Sequence, residues 1–235
     1  MKIVTVQQMR AIESRSESAG VSTDALMDRA GLAVAQRVRH HWGPVTGVPI
    51  VILVGPGNNG GDGLVASRHL QRWGARVAVF VCGERRTPDP KLDMVQETGI
   101  PVASVSEDDG LSRLSVALSL CHVVVDAILG TGRARPIAGT IAGVLEALKM
   151  SVAANPAMRL LALDVPTGLD ADTGRADPAC VPADVTVALG YAKRGHYAQP
   201  AVDRLGLLEV VDIGLPPGVD TEVELELADA QWARG

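Results

Sequence analysis

Three stretches of the 235-residue chain end an apolar run in polar side chains and glycine. The first is Val51-Ile52-Leu53-Val54 followed by Gly55-Pro56-Gly57-Asn58-Asn59-Gly60-Gly61-Asp62-Gly63, where two amides and a carboxylate stand among five glycines. Glycine there permits positive φ and lets the backbone approach a ligand, and the start of a following helix presents unpaired N–H groups with partial positive charge. Such a turn suits an anionic group. It lacks the Lys followed by Ser or Thr of a phosphate-gripping loop, and its spacing departs from Gly-x-Gly-x-x-Gly, so routine phosphoryl transfer is disfavoured. A plain turn, with Asn58 as turn former and Asp62 as helix cap, is the structural alternative. The other two stretches are Val123-Val124-Val125-Asp126-Ala127-Ile128-Leu129-Gly130-Thr131-Gly132 and Leu161-Ala162-Leu163-Asp164-Val165-Pro166-Thr167-Gly168-Leu169-Asp170. In a parallel sheet all such strand ends point the same way, so Asn59, Asp126, Asp164 and Thr167 are expected to converge on one rim.

That set offers amide, carboxylate, hydroxyl and carbonyl oxygens, with no His or Cys cluster, which disfavours a transition metal and suits a hard cation. With one carboxylate committed, its charge fits a monovalent ion better than a divalent one. The other aspartate is then free for proton transfer. No Gly-x-Ser-x-Gly elbow is present, and His40, His41, His69, His122 and His196 fall mostly on expected helices or at a strand start, so a Ser-His-Asp hydrolase is unsupported. The segment 190–197 gathers Lys193, Arg194 and His196 with Tyr191 and Tyr197. It could contact phosphates or adenine, but the simpler expectation is a solvated loop.

Positioning these residues requires a layered α/β fold. Short Val/Ile/Leu-rich runs at 49–54, 75–82, 122–125, 159–163, 184–189 and 207–211 are apolar on both faces, as a buried parallel sheet requires. Helices are expected between them at 62–73, 92–98, 111–120 and 141–149, a repeated βα pattern. Two more are expected at 5–18 and 23–41. The second is opened by Ser22 or Thr23, with Leu26, Ala30, Ala33, Val34, Val38 and His41 on one face against the sheet. Irregular connections are expected at 83–90 and 170–182. Hydrophobic residues at 47% and charged residues at 21% exclude general disorder. Aromatics at 3% call for an aliphatic core packed on small residues. A net charge of −5 without a basic run disfavours nucleic acid. Cys82, Cys121 and Cys180 are widely spaced and odd in number, consistent with a reducing compartment and a buried apolar role. The N-terminal residues do not read as a secretory signal, and no apolar window approaches about 18 residues, so a cytoplasmic protein without a membrane span is expected. One domain over 1–235 is the economical reading.

Taken in order, the three blocks quoted above resemble the NAD(P)H-hydrate epimerase family, and Leu26-Met27-Asp28-Arg29-Ala30-Gly31 and Gly206-Leu207-Leu208-Glu209-Val210-Val211-Asp212-Ile213-Gly214-Leu215-Pro216 extend the likeness to nearly the whole chain. The resemblance implies a Rossmann-like three-layer αβα sandwich, commonly a homodimer, with a mostly parallel sheet and N-terminal helices. It implies epimerisation of the R and S forms of hydrated NADH and NADPH (NADHX and NADPHX), which feeds a separate ADP- or ATP-dependent dehydratase activity. Carried over residue by residue, it implies that Asn58, Asn59, Gly60, Gly61 and Asp62 bind the substrate. Gly130, Thr131, Gly132, Arg133, Ala134, Arg135 and Pro136 wrap its phosphates, and Asp164 touches the hydrated ring as the expected catalytic residue. Potassium (K+) is implied as cofactor, with Asn59, Asp126 and Thr167 as its side-chain ligands. Thr167 stands where the family more often has Ser and keeps the hydroxyl, whereas Asp28 is one methylene shorter than the family's usual Glu. Segment 222–235 resembles one that leads, in fused relatives, into a dehydratase domain. A non-catalytic nucleotide- or protein-binding module using the same cleft is the competing reading. A nucleotide-dependent transferase would need a lysine or divalent ligands at the glycine turn.

Overall fold

The aliphatic runs form a seven-stranded sheet in which every pair of neighbours is parallel. In the computed structural model, which describes residues 1–132 and 136–228, the chain runs β1 (Ile3–Val4), α1 (Val6–Ser18), α2 (Thr23–Trp42), β2 (Pro49–Val54), α3 (Asn58–Arg72), β3 (Arg76–Val81), α4 (Pro90–Glu97) and β4 (Val102–Ser104). It continues through α5 (Ser112–Leu120), β5 (Val123–Ala127), α6 (Gly139–Ala154), β6 (Arg159–Leu163), β7 (Val185–Leu189), β8 (Ala192–Lys193), α7 (Val202–Leu205) and β9 (Leu207–Val211). The large sheet has the order β4-β3-β2-β5-β6-β7-β9. Its strands wind outward from β2 to β4, and the chain then crosses back to begin β5 on the other side of β2. Ligands in open α/β sheets bind in the crevice that such a reversal opens beyond the carboxyl ends of the strands, here those of β2 and β5.

Strand alternation divides the core between the two faces of the sheet. Ile50, Ile52 and Val54 point to the side where Met9, Ile12, Leu26, Val34, Leu64 and Val95 bring in α1 to α4. Val51 and Leu53 point to the other side, against Leu114 and Leu118 of α5 and Val144, Leu145 and Leu148 of α6. These side chains are almost wholly buried, so truncating Ile52 or Leu53 to Ala is expected to cost about 2–5 kcal/mol. Cys82, Cys121 and Cys180 are free and buried.

The three-layer α/β arrangement is as expected, with additions, among them the short helix α7, and a correction. Edge strand β4 and a small sheet pairing β1 with β8 in parallel were not among the expected elements. The correction concerns α3, which starts at Asn58 and not at Asp62, so Asn59, Gly60, Gly61 and Asp62 lie in its opening turns. None of Gly55, Gly57, Gly60, Gly61 or Gly63 has positive φ. Glycine is needed there for space: a Cβ on Gly60 would lie 2.1 Å from the Gly55 carbonyl oxygen, and one on Gly63 would lie 2.6 Å from Ala127 Cβ on β5. Close packing of the helix start onto the strand ends overrides the poor helix propensity of glycine. Near the other terminus, Ile3 N–H donates to Leu225 O and Leu227 N–H to Met1 O, so the described part of segment 222–235 is hydrogen-bonded to the N-terminus. Residues 229–235 lie outside the described residues.

Candidate functional site

Asp126 sits near the end of β5 and Thr167 in the turns after β6, and the two meet side to side. The Thr167 hydroxyl donates to Asp126 Oδ1 at 2.6 Å, the Thr167 N–H to Oδ2 at 2.8 Å, and the Ile128 N–H to Oδ1 at 3.2 Å. Leu129 N–H in turn donates to Thr167 Oγ1 at 3.0 Å, so that oxygen keeps one lone pair uncommitted. Asn59 approaches from the start of α3. A Cβ on Gly130 would lie 2.9 Å from its Oδ1, and its buried Nδ2 has no hydrogen-bond partner among the described residues. Asp126 and Thr167 are 3% and 1% exposed. Burial pushes the Asp126 carboxyl above its ordinary range, although the Thr167 and Ile128 hydrogen bonds oppose this. A buried carboxylate met, among the described residues, by neutral donors alone and bonded to a hydroxyl with a spare lone pair, with the Asn59 amide oxygen next to Gly130 on the same rim, is a donor set that fits an oxygen-coordinated monovalent cation.

Asp164 follows β6 directly and has a left-handed backbone, φ 66°, a conformation costly for side chains other than Asn, Asp and Gly. Its N–H is held by the carbonyl of Val187 at 2.8 Å. On the side chain, Oδ1 accepts from Lys193 Nζ at 2.5 Å and from Leu189 N–H at 3.1 Å, while Oδ2 takes no hydrogen bond from the described residues. Lys193 Nζ also donates to Leu189 O at 3.0 Å. His196 completes the arrangement: Lys193 N–H donates to Nδ1 at 3.1 Å, which places the ring proton on Nε2, 3.0 Å from the Asp164 carbonyl oxygen. Burial, reinforced by the charge of Lys193, pushes His196 down to about 4, so it is neutral at pH 7. The expectation of a solvated loop at 190–197 is therefore overturned at its centre. Lys193 and His196 are each 1% exposed, because the segment folds under the rim to bring a counter-charge to Asp164. Arg194 and Tyr197 remain exposed.

Two further carboxyls border this pair. Asp62 on α3 is buried, and burial, with the charges of Asp164 and Glu13 adding to it, raises its pKa well above the usual carboxylate range. Glu13 on α1 is raised chiefly by burial, with Lys193 opposing. Nothing in the amphipathic sequence of α1 separates Glu13 from an ordinary surface acid. Arg85, in the connection after β3, is another residue that sequence reasoning missed. Its guanidinium donates to the Gly55 carbonyl and pairs with Asp89 at 2.5 Å, clamping the turn that carries Asn58 and Asn59. Asn58 is exposed and Gly60 and Gly61 are buried. Asp28 faces outward and pairs with Lys91 at 3.1 Å. Of the expected phosphate-wrapping residues, Gly130 and Thr131 are half-buried, and Gly132 and Pro136 are exposed. Arg133, Ala134 and Arg135 lie outside the described residues. Arg10 of α1 reaches the Thr131 carbonyl at 3.4 Å. The structure thus places Asn59 beside Gly130, Asp126 against Thr167, and Asp164 within electrostatic reach of Asp62, all at or just beyond the carboxyl ends of β2, β5 and β6.

Similarity to known proteins extends over nearly the whole chain. The bifunctional NAD(P)H-hydrate repair enzyme Nnr of Moorella thermoacetica is 36% identical over 246 residues, covering 100% of this chain and 45% of that enzyme. The enzyme of the same name from Thermofilum pendens is 36% identical, covering 97% of this chain and 44% of the relative. The chain therefore spans less than half the length of these curated relatives. Among solved structures, the yeast protein YNL200c superposes with a TM-score of 0.72 at 25% identity, covering 90% of this chain and 88% of that one. Residues 23–195, which carry the glycine-rich start of α3, Asp126, Asp164, Thr167 and Lys193, match the family described as YjeF-related protein N-terminus, and the chain belongs to that family.

Proposed function

We propose that this chain is an NAD(P)H-hydrate epimerase, interconverting the R and S forms of NADHX and NADPHX. The observation that carries this reading is the Asp164 carboxylate, fixed through Oδ1 and open at Oδ2, on the same rim as an oxygen set that suits an alkali cation. The relatives that share the whole chain are named for repair of the same hydrates. The hydrated nicotinamide carbon, which bears both the ring nitrogen and a hydroxyl, can epimerise by ring opening or by loss of the hydroxyl; in the route proposed here the hydroxyl departs as water, leaving a planar carbon, and water returns from the opposite face. Asp164 passes the proton at Oδ2: one proton goes out with the departing hydroxyl and one comes back from the returning water, so nothing is consumed. Asn58, Asn59, Gly60, Gly61 and Asp62, with the loop from Gly130 to Pro136, bind the substrate. Asn59, Asp126 and Thr167 would hold potassium, which would supply a fixed positive charge for orienting the anionic nucleotide.

A homodimer belongs to the same reading, as does a dehydratase, fused or separate, that consumes the S epimer. The buried free cysteines fit a reducing cytoplasm. Among the described residues no helix is long and apolar enough to cross a membrane. The test is to incubate the purified chain with each separated epimer. Convergence on one R/S ratio, faster than without protein and faster in potassium than in lithium, is expected. Nucleotide binding without interconversion would instead identify a binding module.

A further inference from the structure

We infer that Lys193 is a positioning residue for this reaction: by gripping Oδ1 of Asp164 it makes Oδ2 the oxygen that meets the substrate. The inference rests on the epimerase reading and deepens it. Asp164 is fixed at every other point by neutral groups, its N–H by Val187, its carbonyl by His196 and Oδ1 also by the Leu189 N–H. Among the described residues Lys193 adds the one charged contact, and does so from complete burial.

Its own station is built with equal care. The backbone of Lys193 pairs with Val4 of β1, its N–H is taken by His196, and its ammonium has a second acceptor in the Leu189 carbonyl. A buried ion pair contributes little net stability compared with an apolar replacement of both partners. Directing a carboxylate is therefore a better account of a lysine kept there than stability is. Held by two donors on one oxygen, Asp164 cannot rotate its ring-facing oxygen away, and it exchanges protons with the substrate at a fixed atom.

The test is a double-mutant cycle on turnover using the full chain. Wild type, Asp164→Asn, Lys193→Met and the double variant are compared for kcat and KM on resolved epimers and for affinity toward unhydrated NADPH, with folding checked by thermal melts. Lys193→Met is expected to lower kcat about 10- to 100-fold, within the span attributable to a misplaced acid–base group, with KM and NADPH affinity changed less than about threefold. In the Asp164→Asn background the same change is expected to alter kcat less than about twofold, because the lysine acts through that carboxylate. Lys193→Arg, which keeps the charge and can reach Oδ1, is expected to recover part of the loss. Should Lys193→Met fail to fold because it strands a buried carboxylate, Lys193→Arg, which keeps the pair, and the double variant, in which neither charge is left unpaired, still decide the matter.

Losses that multiply in the double variant would overturn the inference, as would an unchanged kcat in Lys193→Met. A wild-type chain that does not epimerise would remove the epimerase reading, and this inference with it. An active wild type beside an equally active Lys193→Met protein would remove the inference alone.

Discussion

Two aspartates leave adjacent strands at the same rim and are handled in opposite ways. Asp126, opposite Ala162 in the β5–β6 register, has both oxygens filled by neutral donors, and burial raises its pKa. Asp164, just past the end of β6, has one oxygen tied to a buried ammonium and the other without a hydrogen bond from the described residues. In the reading proposed above, the first arrangement holds oxygen atoms still for a cation. The other leaves one oxygen available to a reacting group. The difference shows that a carboxylate's role here is set by its counter-charge and by which lone pairs remain, and not by residue type or by position at a strand end.

The comparison breaks first at Asp164. Asp164→Asn keeps the shape and loses the proton carrier, so kcat is expected to fall about 10²- to 10⁴-fold while NADPH affinity, measured by titration, stays close to wild type. Retained turnover would place proton transfer elsewhere. Next in size is the clip beneath that pole. His196 has a folded pKa of about 4, depressed from 6.5. Between those values the unfolded chain binds the extra proton, so its contribution to stability is present above about pH 6.5 and is lost as pH falls toward 4. This amounts to about 3 kcal/mol at most. Denaturation midpoints measured across that window are expected to rise with pH more steeply for wild type than for His196→Gln.

Smaller effects sharpen the cation pole. Thr167→Val leaves the Leu129 N–H and one Asp126 oxygen short of a partner, an expected loss of about 1–3 kcal/mol by denaturant unfolding, and it abolishes the advantage of potassium over lithium. Thr167→Ser retains both. Smallest is the pair Gly130→Ala and Gly132→Ala. A Cβ at 130 meets Asn59 Oδ1 at 2.9 Å, whereas one at 132 meets none of the described residues within 4 Å. The half-saturating potassium concentration in the activity assay is expected to rise several-fold for the first and to stay put for the second.

Much of the fold could be read from the sequence because a parallel sheet buried on both faces writes its strands as unbroken aliphatic runs. The central strands declare themselves this way, and the edge strand β9 is still legible from its Leu and Val residues although Glu209 interrupts the run. Strand β4 does not, since Val102, Ala103 and Ser104 form a half-buried edge that carries no such pattern. The glycine-rich start of α3 hides its helix because glycine's low propensity is outweighed by contacts with Gly55 and Ala127, which are distant information at the level of sequence. The meeting of Asp126 with Thr167 follows from strand direction alone, so it was foreseeable. Lys193 was not: it arrives from a segment after β7, beyond the strand ends that the argument used, and a Lys-Arg-Gly-His run looks solvated until its burial is seen. Glu13 is hidden for the same reason, on a helix that precedes the sheet.

The most direct test of the account is epimerisation by the wild-type chain in H2¹⁸O with potassium present. Because the hydroxyl departs and solvent water returns, each inversion catalysed above the spontaneous rate is expected to install one labelled oxygen on the hydrated nicotinamide carbon. Inversion that retains the original oxygen, or no acceleration of inversion at all, would contradict it.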